Sequence, residues 1–198
     1  MVFDAAGRPA ARAIIGNSRF AAYARAVRRT LKGDDEGSRM GSVFEKLNLT
    51  DQREILVLNA PASFELELRR LSGVTIQMRL PKAKPVSFAL VFAIQQAEVD
   101  AVATRLALVA PGDAIVWFAY PKGTSKRYTC GFNRDTGWQA LGKAGFEPVR
   151  QIAIDEDWTA LRFRRAEFIK SMTRARAMSK QGKNKLAEGR PGRPRTTR

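Results

Sequence analysis

Apolar residues in this chain fall into short continuous or alternating runs, separated by stretches in which they recur every three to four positions. The first period belongs to strands and the second to helices that bury one face. Ser42-Val43-Phe44-Glu45 fits a capping box and predicts a short helix with Phe44 and Leu47 turned inward. A first strand follows over 55–59. Ser63 is placed to cap a helix carrying Phe64, Leu68 and Leu71, which Ser72-Gly73 stops. A second strand is predicted over 74–78, and a third over 86–94, whose nearly unbroken apolar run suits a strand covered on both faces. Val99, Val102, Leu106 and Val109 then mark a helix that ends at Ala110-Pro111-Gly112, ahead of an apolar strand over 114–120. A helix over about 135–144 carries Trp138 and Leu141, with Gly145 placed to end it. Two last strands, 149–154 and 159–165, are joined only by Asp155-Glu156-Asp157-Trp158 and must form an antiparallel hairpin.

This order predicts an α/β fold of three layers, Rossmann-like, with a mostly parallel sheet that ends in an antiparallel hairpin. The stretch from Leu106 through Pro111-Gly112 to Trp117, followed by a closing helix and hairpin, resembles the end of a class I methyltransferase-like fold. The resemblance implies a shortened version, with one strand and its helices missing between Met78 and Val86. The cofactor elements of that fold are absent. Glycine is used after the first strand because any Cβ would block a ligand there, whereas this chain has Asn59-Ala60-Pro61-Ala62. Arg79 and Leu80 stand where an acidic residue would bind ribose hydroxyls. We therefore expect no cofactor and no S-adenosylmethionine site.

Charge changes the picture at the ends. Of the formal net charge of +16, residues 1–39 supply +4, residues 40–168 supply +3 and residues 169–198 supply +9. Three segments follow: a basic extension over 1–39, a domain over 40–174, and a basic tail over 175–198. The tail beyond Ser179 has one large aliphatic residue, Leu186, and is expected to be disordered. Residues 18–32 read as a basic amphipathic helix: an arm for a membrane surface or nucleic acid, an Arg-rich targeting segment, or an extension upstream of a start at Met40. With no histidine anywhere, Ser-His-Asp and Cys-His catalysis and His-bearing zinc sites are excluded. The single Cys130 has no partner for a disulfide or a CxxC motif, which suits a reducing cytoplasm. No run approaches the roughly 20 apolar residues of a membrane span.

Three segments, Val57-Leu58-Asn59-Ala60-Pro61, residues 117–126 and residues 155–163, together resemble a family of small bacterial proteins known only as a domain of unknown function. The resemblance covers about residues 40–174. It implies a compact α/β domain in a bacterial cytoplasm, with no activity attached.

Open α/β sheets bind ligands beyond the carboxyl ends of their strands, where strand order reverses. We expect that crevice between the Asn59 loop and the Tyr120 loop. There Tyr120, Lys122, Ser125 and Lys126 join Asn59 as candidate ligands for a phosphate or carboxylate; a solvated basic loop is the alternative. Asp155, Glu156 and Asp157 form no catalytic or metal cluster in this reading but pair with Arg150, Arg162 and Arg164 across the strands. Cys130 is either an activated thiolate or a small buried hydrophobe. Gly189-Arg190-Pro191-Gly192-Arg193-Pro194-Arg195 resembles an AT-hook, with Arg190, Arg193 and Arg195 as nucleic-acid contacts, although Pro191 replaces one core arginine. The expected function is a non-catalytic or anion-binding module with non-specific nucleic-acid affinity. The alternative is a divergent methyltransferase-like enzyme, or one acting on a phosphorylated or carboxylate metabolite.

Overall fold

A computed structural model describes residues 43–171 and 176–188. In chain order its elements are α1 (Val43–Lys46), β1 (Glu54–Leu58), α2 (Glu65–Arg69), β2 (Thr75–Gln77), β3 (Phe88–Phe92), α3 (Gln96–Val109), β4 (Ile115–Pro121), α4 (Gln139–Lys143), β5 (Phe146–Ala153), β6 (Trp158–Arg165) and α5 (Lys180–Glu188). Six strands form one sheet in the order β2-β1-β3-β4-β6-β5. The first four are parallel, and β6 runs antiparallel to both β4 and β5. This is a Rossmann-like α/β architecture with a closing hairpin. The hairpin is folded in so that its second strand, β6, lies beside β4 and its first becomes the outer strand.

The two-residue period of the strands sorts the core into two layers. Leu56, Leu58, Ala89, Val91, Val116, Phe118, Leu161 and Phe163 belong to one apolar cluster with Val99, Ala103 and Leu106 of α3 and with Trp138 and Leu141. The alternate residues pack under α1 and the turn before α2. The Phe44 ring lies 6.4 Å from Phe88 and the Phe64 ring 4.9 Å from Phe92. Trp117 on that face donates its indole N–H to the Leu47 carbonyl at 2.8 Å, so its polar edge is satisfied in a fully buried position.

Helix starts differ from the sequence expectation. Ser63 caps nothing, because the chain enters α2 through a 3-10 turn at Ala62–Phe64 that has no side-chain cap. The capping box belongs instead to α3, where Gln95 and Glu98 satisfy each other's end of the helix. Ser42 lies outside the described residues. The helix expected over 135–144 is confined to Gln139–Lys143, because Asn133, Asp135 and Thr136 form their own side-chain turn ahead of it. Gly137 sits in the turn at φ +94, with its carbonyl accepting from Gln96; a Cβ there would lie 2.4 Å from the Phe132 Cβ.

Residue 175 does not begin a wholly disordered tail. Residues 180–188 form α5, and the chain before it is fastened to β5. Glu147, 1% exposed, accepts from the Met178 amide and from both the amide and the hydroxyl of Ser179. Ser179 in turn accepts from the Gly182 amide at 2.9 Å. Lys185 donates to the carbonyls of Ala166, Glu167 and Ile169. The basic segment over 18–32 lies outside the described residues. Among the described residues no helix is long and apolar enough to cross a membrane.

Candidate functional site at the carboxyl edge of the sheet

Strand order reverses between β1 and β3, which places the switch point between Asn59 and the residues after Phe92. The Asn59 and Tyr120 loops do not share it, because β3 stands between β1 and β4. Asn59 leaves β1 at φ +54, a conformation that Asn tolerates better than other side-chain-bearing residues. From there its amide donates across the switch to the Phe92 carbonyl at 3.3 Å. The Ile94 and Gln95 amides, which also face this edge, both donate to the Glu98 carboxylate, at 2.8 and 2.9 Å. The Phe92 carbonyl and the Ile94 and Gln95 amides are thus all satisfied by side chains of the edge itself.

These residues do not fit S-adenosylmethionine. The position that a glycine would leave clear holds the Asn59 carboxamide, bonded to the neighbouring strand. Beyond β2 the chain continues Met78-Arg79-Leu80, which offers no carboxylate for ribose hydroxyls.

Most of the other expected ligands are engaged in local bonds. Tyr120 is buried, and its hydroxyl accepts from the Gln151 side chain at 3.2 Å. Lys122 donates through its ammonium to the Asp155 carbonyl at 2.6 Å and through its amide to the Asp157 carbonyl at 2.7 Å. The Ser125 hydroxyl donates to Asp157 at 2.8 Å and accepts from the amides of Arg127 and Tyr128. Arg127 also meets Asp157, at 3.2 Å. Together these bonds clamp the loop after β4 onto the hairpin turn. Lys126 is exposed and, like Gly123 and Thr124 beside it, has no partner among the described residues.

The hairpin carboxylates are structural, with partners other than the expected ones. Asp155 accepts from the Asp157 and Trp158 amides, and Asp157 takes the loop after β4. Arg164 instead pairs with Asp113, and Arg150 donates to Asn48. Cross-strand reach fails for the acids because they sit in the turn, beyond the last paired rung. Cys130 is half-buried, its thiol 3.0 Å from the Phe132 carbonyl.

Two features of the structure carry no clear signal in the sequence. Phe64, Phe92, Trp158 and Tyr128 form an aromatic row along this edge, with successive centroids 4.9, 5.1 and 5.1 Å apart. Within it the Trp158 indole N–H is buried without a partner among the described residues. Glu147 was the other; its burial follows from α5, which composition did not foretell. Away from this edge, a groove of about 320 Å³ lies near the amino ends of β1 and β2, between Thr50-Asp51 and Arg70. Arg190, Arg193 and Arg195 lie outside the described residues.

No family model matches the chain, and no curated protein matches it in sequence. Solved structures similar to it include an S-adenosylmethionine-dependent methyltransferase from Aquifex aeolicus, 13% identical, with a TM-score of 0.46 over 71% of this chain and 97% of that one. Another is magnesium protoporphyrin IX methyltransferase from Synechocystis, 13% identical, with a TM-score of 0.44 over 74% and 93%. A third is the N-methyltransferase NodS from Bradyrhizobium japonicum, 13% identical, with a TM-score of 0.40 over 71% and 97%. Such distant likeness says nothing about activity, and the architecture rests on the strand order above.

Proposed function

We propose that this chain is a Rossmann-like module that binds anions, nucleic acid above all, and carries out no chemistry at its carboxyl edge. The observation that carries this reading is the Asn59 carboxamide bonded across the switch point to Phe92, where a cofactor would have to enter. Lys126, with the unpaired Gly123 and Thr124 beside it, supplies a small cationic surface next to the clamped Lys122 and Ser125. The tail arginines Arg190, Arg193 and Arg195 supply non-specific contacts with phosphates. Membership of the small bacterial family and a cytoplasmic location belong to the same proposal.

The second reading, a divergent methyltransferase or an enzyme acting on a phosphorylated or carboxylate metabolite, draws on the strand order and on the unpartnered Trp158 indole in the same edge. Calorimetry on the full chain separates the two. The first expects no saturable heat with S-adenosylmethionine or S-adenosylhomocysteine and salt-sensitive binding of a short DNA duplex. Saturable binding of either small molecule would overturn it in favour of the second.

A further inference from the structure

Across the three strands at the hairpin end of the sheet, Trp117, Arg162 and Arg150 stand in register on one face. Trp117 is anchored to the end of α1 by its bond to Leu47, and the next residue, Asn48, accepts from Arg150 at 3.3 Å. Arg164 lies two residues along β6 from Arg162 and on the same face. Arg164 has a carboxylate, Asp113. Arg162 has no salt bridge among the described residues: its Nε is buried and unpartnered among them, and the charges of Arg164 and Arg150 act on it.

Two arginines directly opposite each other on neighbouring strands repel. A buried guanidinium N–H without an acceptor is also costly, and such groups in folded proteins call for an ion, a water or a ligand. The Arg162 pKa is lowered, first by burial and then by the charges of Arg164 and Arg150, with Asp113 offsetting only part of this. A hydrophobic side chain at 162 would pack beside Trp117 at less cost. The face is built as if an anion completed it. A tetrahedral phosphate suits this face better than a single carboxylate does, because it offers several acceptors to guanidinium groups carried side by side on β5 and β6.

We propose that Arg150, Arg162 and Arg164 form a binding site for a phosphate group on the hairpin face of the sheet. The site lies away from the Lys126 loop and needs neither that loop nor the tail, so it stands or falls separately from the polyanion reading. The phosphate comes either from a small phosphorylated molecule or from a nucleic-acid backbone, and the two probes below tell these sources apart.

The test uses the full chain, in chloride buffers of matched ionic strength, with inorganic phosphate and with a short single-stranded oligonucleotide as probes. Variants are Arg162→Gln, Arg162→Lys and, at the exposed partner, Arg150→Gln, each checked for an intact fold by circular dichroism. With a free phosphate compound as ligand, inorganic phosphate binds saturably and weakens about tenfold in Arg162→Gln, the scale of one charge-assisted bond. Arg162→Lys then recovers only part of that loss, because it keeps the charge without the fork. With a backbone phosphate as ligand, the oligonucleotide shows the same loss and the same partial recovery while inorganic phosphate does not saturate. Arg150→Gln weakens the responsive probe in either case, and it carries the test if the Arg162 variants do not fold. Binding of both probes that is indifferent to these substitutions overturns the site, even if the oligonucleotide is still retained through the tail.

Discussion

Asn59 holds a backbone conformation that glycine adopts freely, and it adds a side chain where glycine would leave space. These two roles separate under mutation. Asn59→Gly keeps the turn and loses only the bond to Phe92, whereas Asn59→Ala loses the bond and also forces a Cβ residue to φ +54 without compensation. Denaturant unfolding is expected to show Asn59→Ala about 1–2 kcal/mol less stable than Asn59→Gly; equal stabilities would mean that the turn relaxes. That Asn59 replaced a glycine could be read in the sequence. Its bond to the neighbouring strand could not, because a one-dimensional pattern does not show that β3 lies beside β1. Lys122 and Ser125 misled for a related reason. Their chemistry suits an anion, but Asp157 was counted with the arginines of the strands and not with the loop it receives.

Among the elements, α5 departs furthest from expectation. Composition rules ask whether a segment can bury apolar surface, and residues 180–188 cannot bury much. They are held by polar contacts instead, above all the Glu147 carboxylate at one end and Lys185 on three carbonyls at the other. Glu147→Ala is expected to release residues 178–186, read as faster amide exchange there than in β3 or β4. Uniform acceleration across the sheet would instead make Glu147 a global support. Gly182→Ala reaches the same latch from the other side, since its new Cβ would lie 2.3 Å from a Glu147 oxygen; it should loosen α5 without removing a charge. By contrast, β4 and the hairpin could be read closely from the sequence, because continuous and alternating apolar runs report burial on two faces or one. In α3 the box is formed by Gln95 and Glu98, whereas the sequence pattern draws attention to serines. Glu98→Ala should cost about 1 kcal/mol in thermal or denaturant unfolding.

Over the whole molecule, the order of strands and helices was enough to give the sheet, because right-handed crossovers and a four-residue link leave few arrangements. It was not enough to give the switch point, which depends on β3 joining the side of β1 opposite β2. Charge divides the molecule differently from fold. The described domain is only mildly basic for its size, and the excess gathers toward the end of the chain. Removing residues 189–198, which leaves α5 intact, should lower low-salt retention of a DNA duplex and flatten its salt dependence by about three to four counterions, one for each of Arg190, Arg193, Arg195 and Arg198. An unchanged slope would move the nucleic-acid contacts onto the domain itself.

The outermost strands, β2 and β5, have a bearing on how the protein behaves when crowded. An exposed strand invites a neighbouring chain to continue the ladder, and proteins discourage this with short, bulged or proline-bearing edges. Here β2 gives a newcomer only Thr75–Gln77 to follow, with Pro81, Lys82, Lys84 and Pro85 close behind. On the opposite side β5 breaks register between Pro148 and Arg150. Among the described residues, neither rim offers a long regular strand to copy. Concentrated solutions should therefore scatter light as separate molecules or assemble through helical faces, and growth by sheet extension is closed off at both ends.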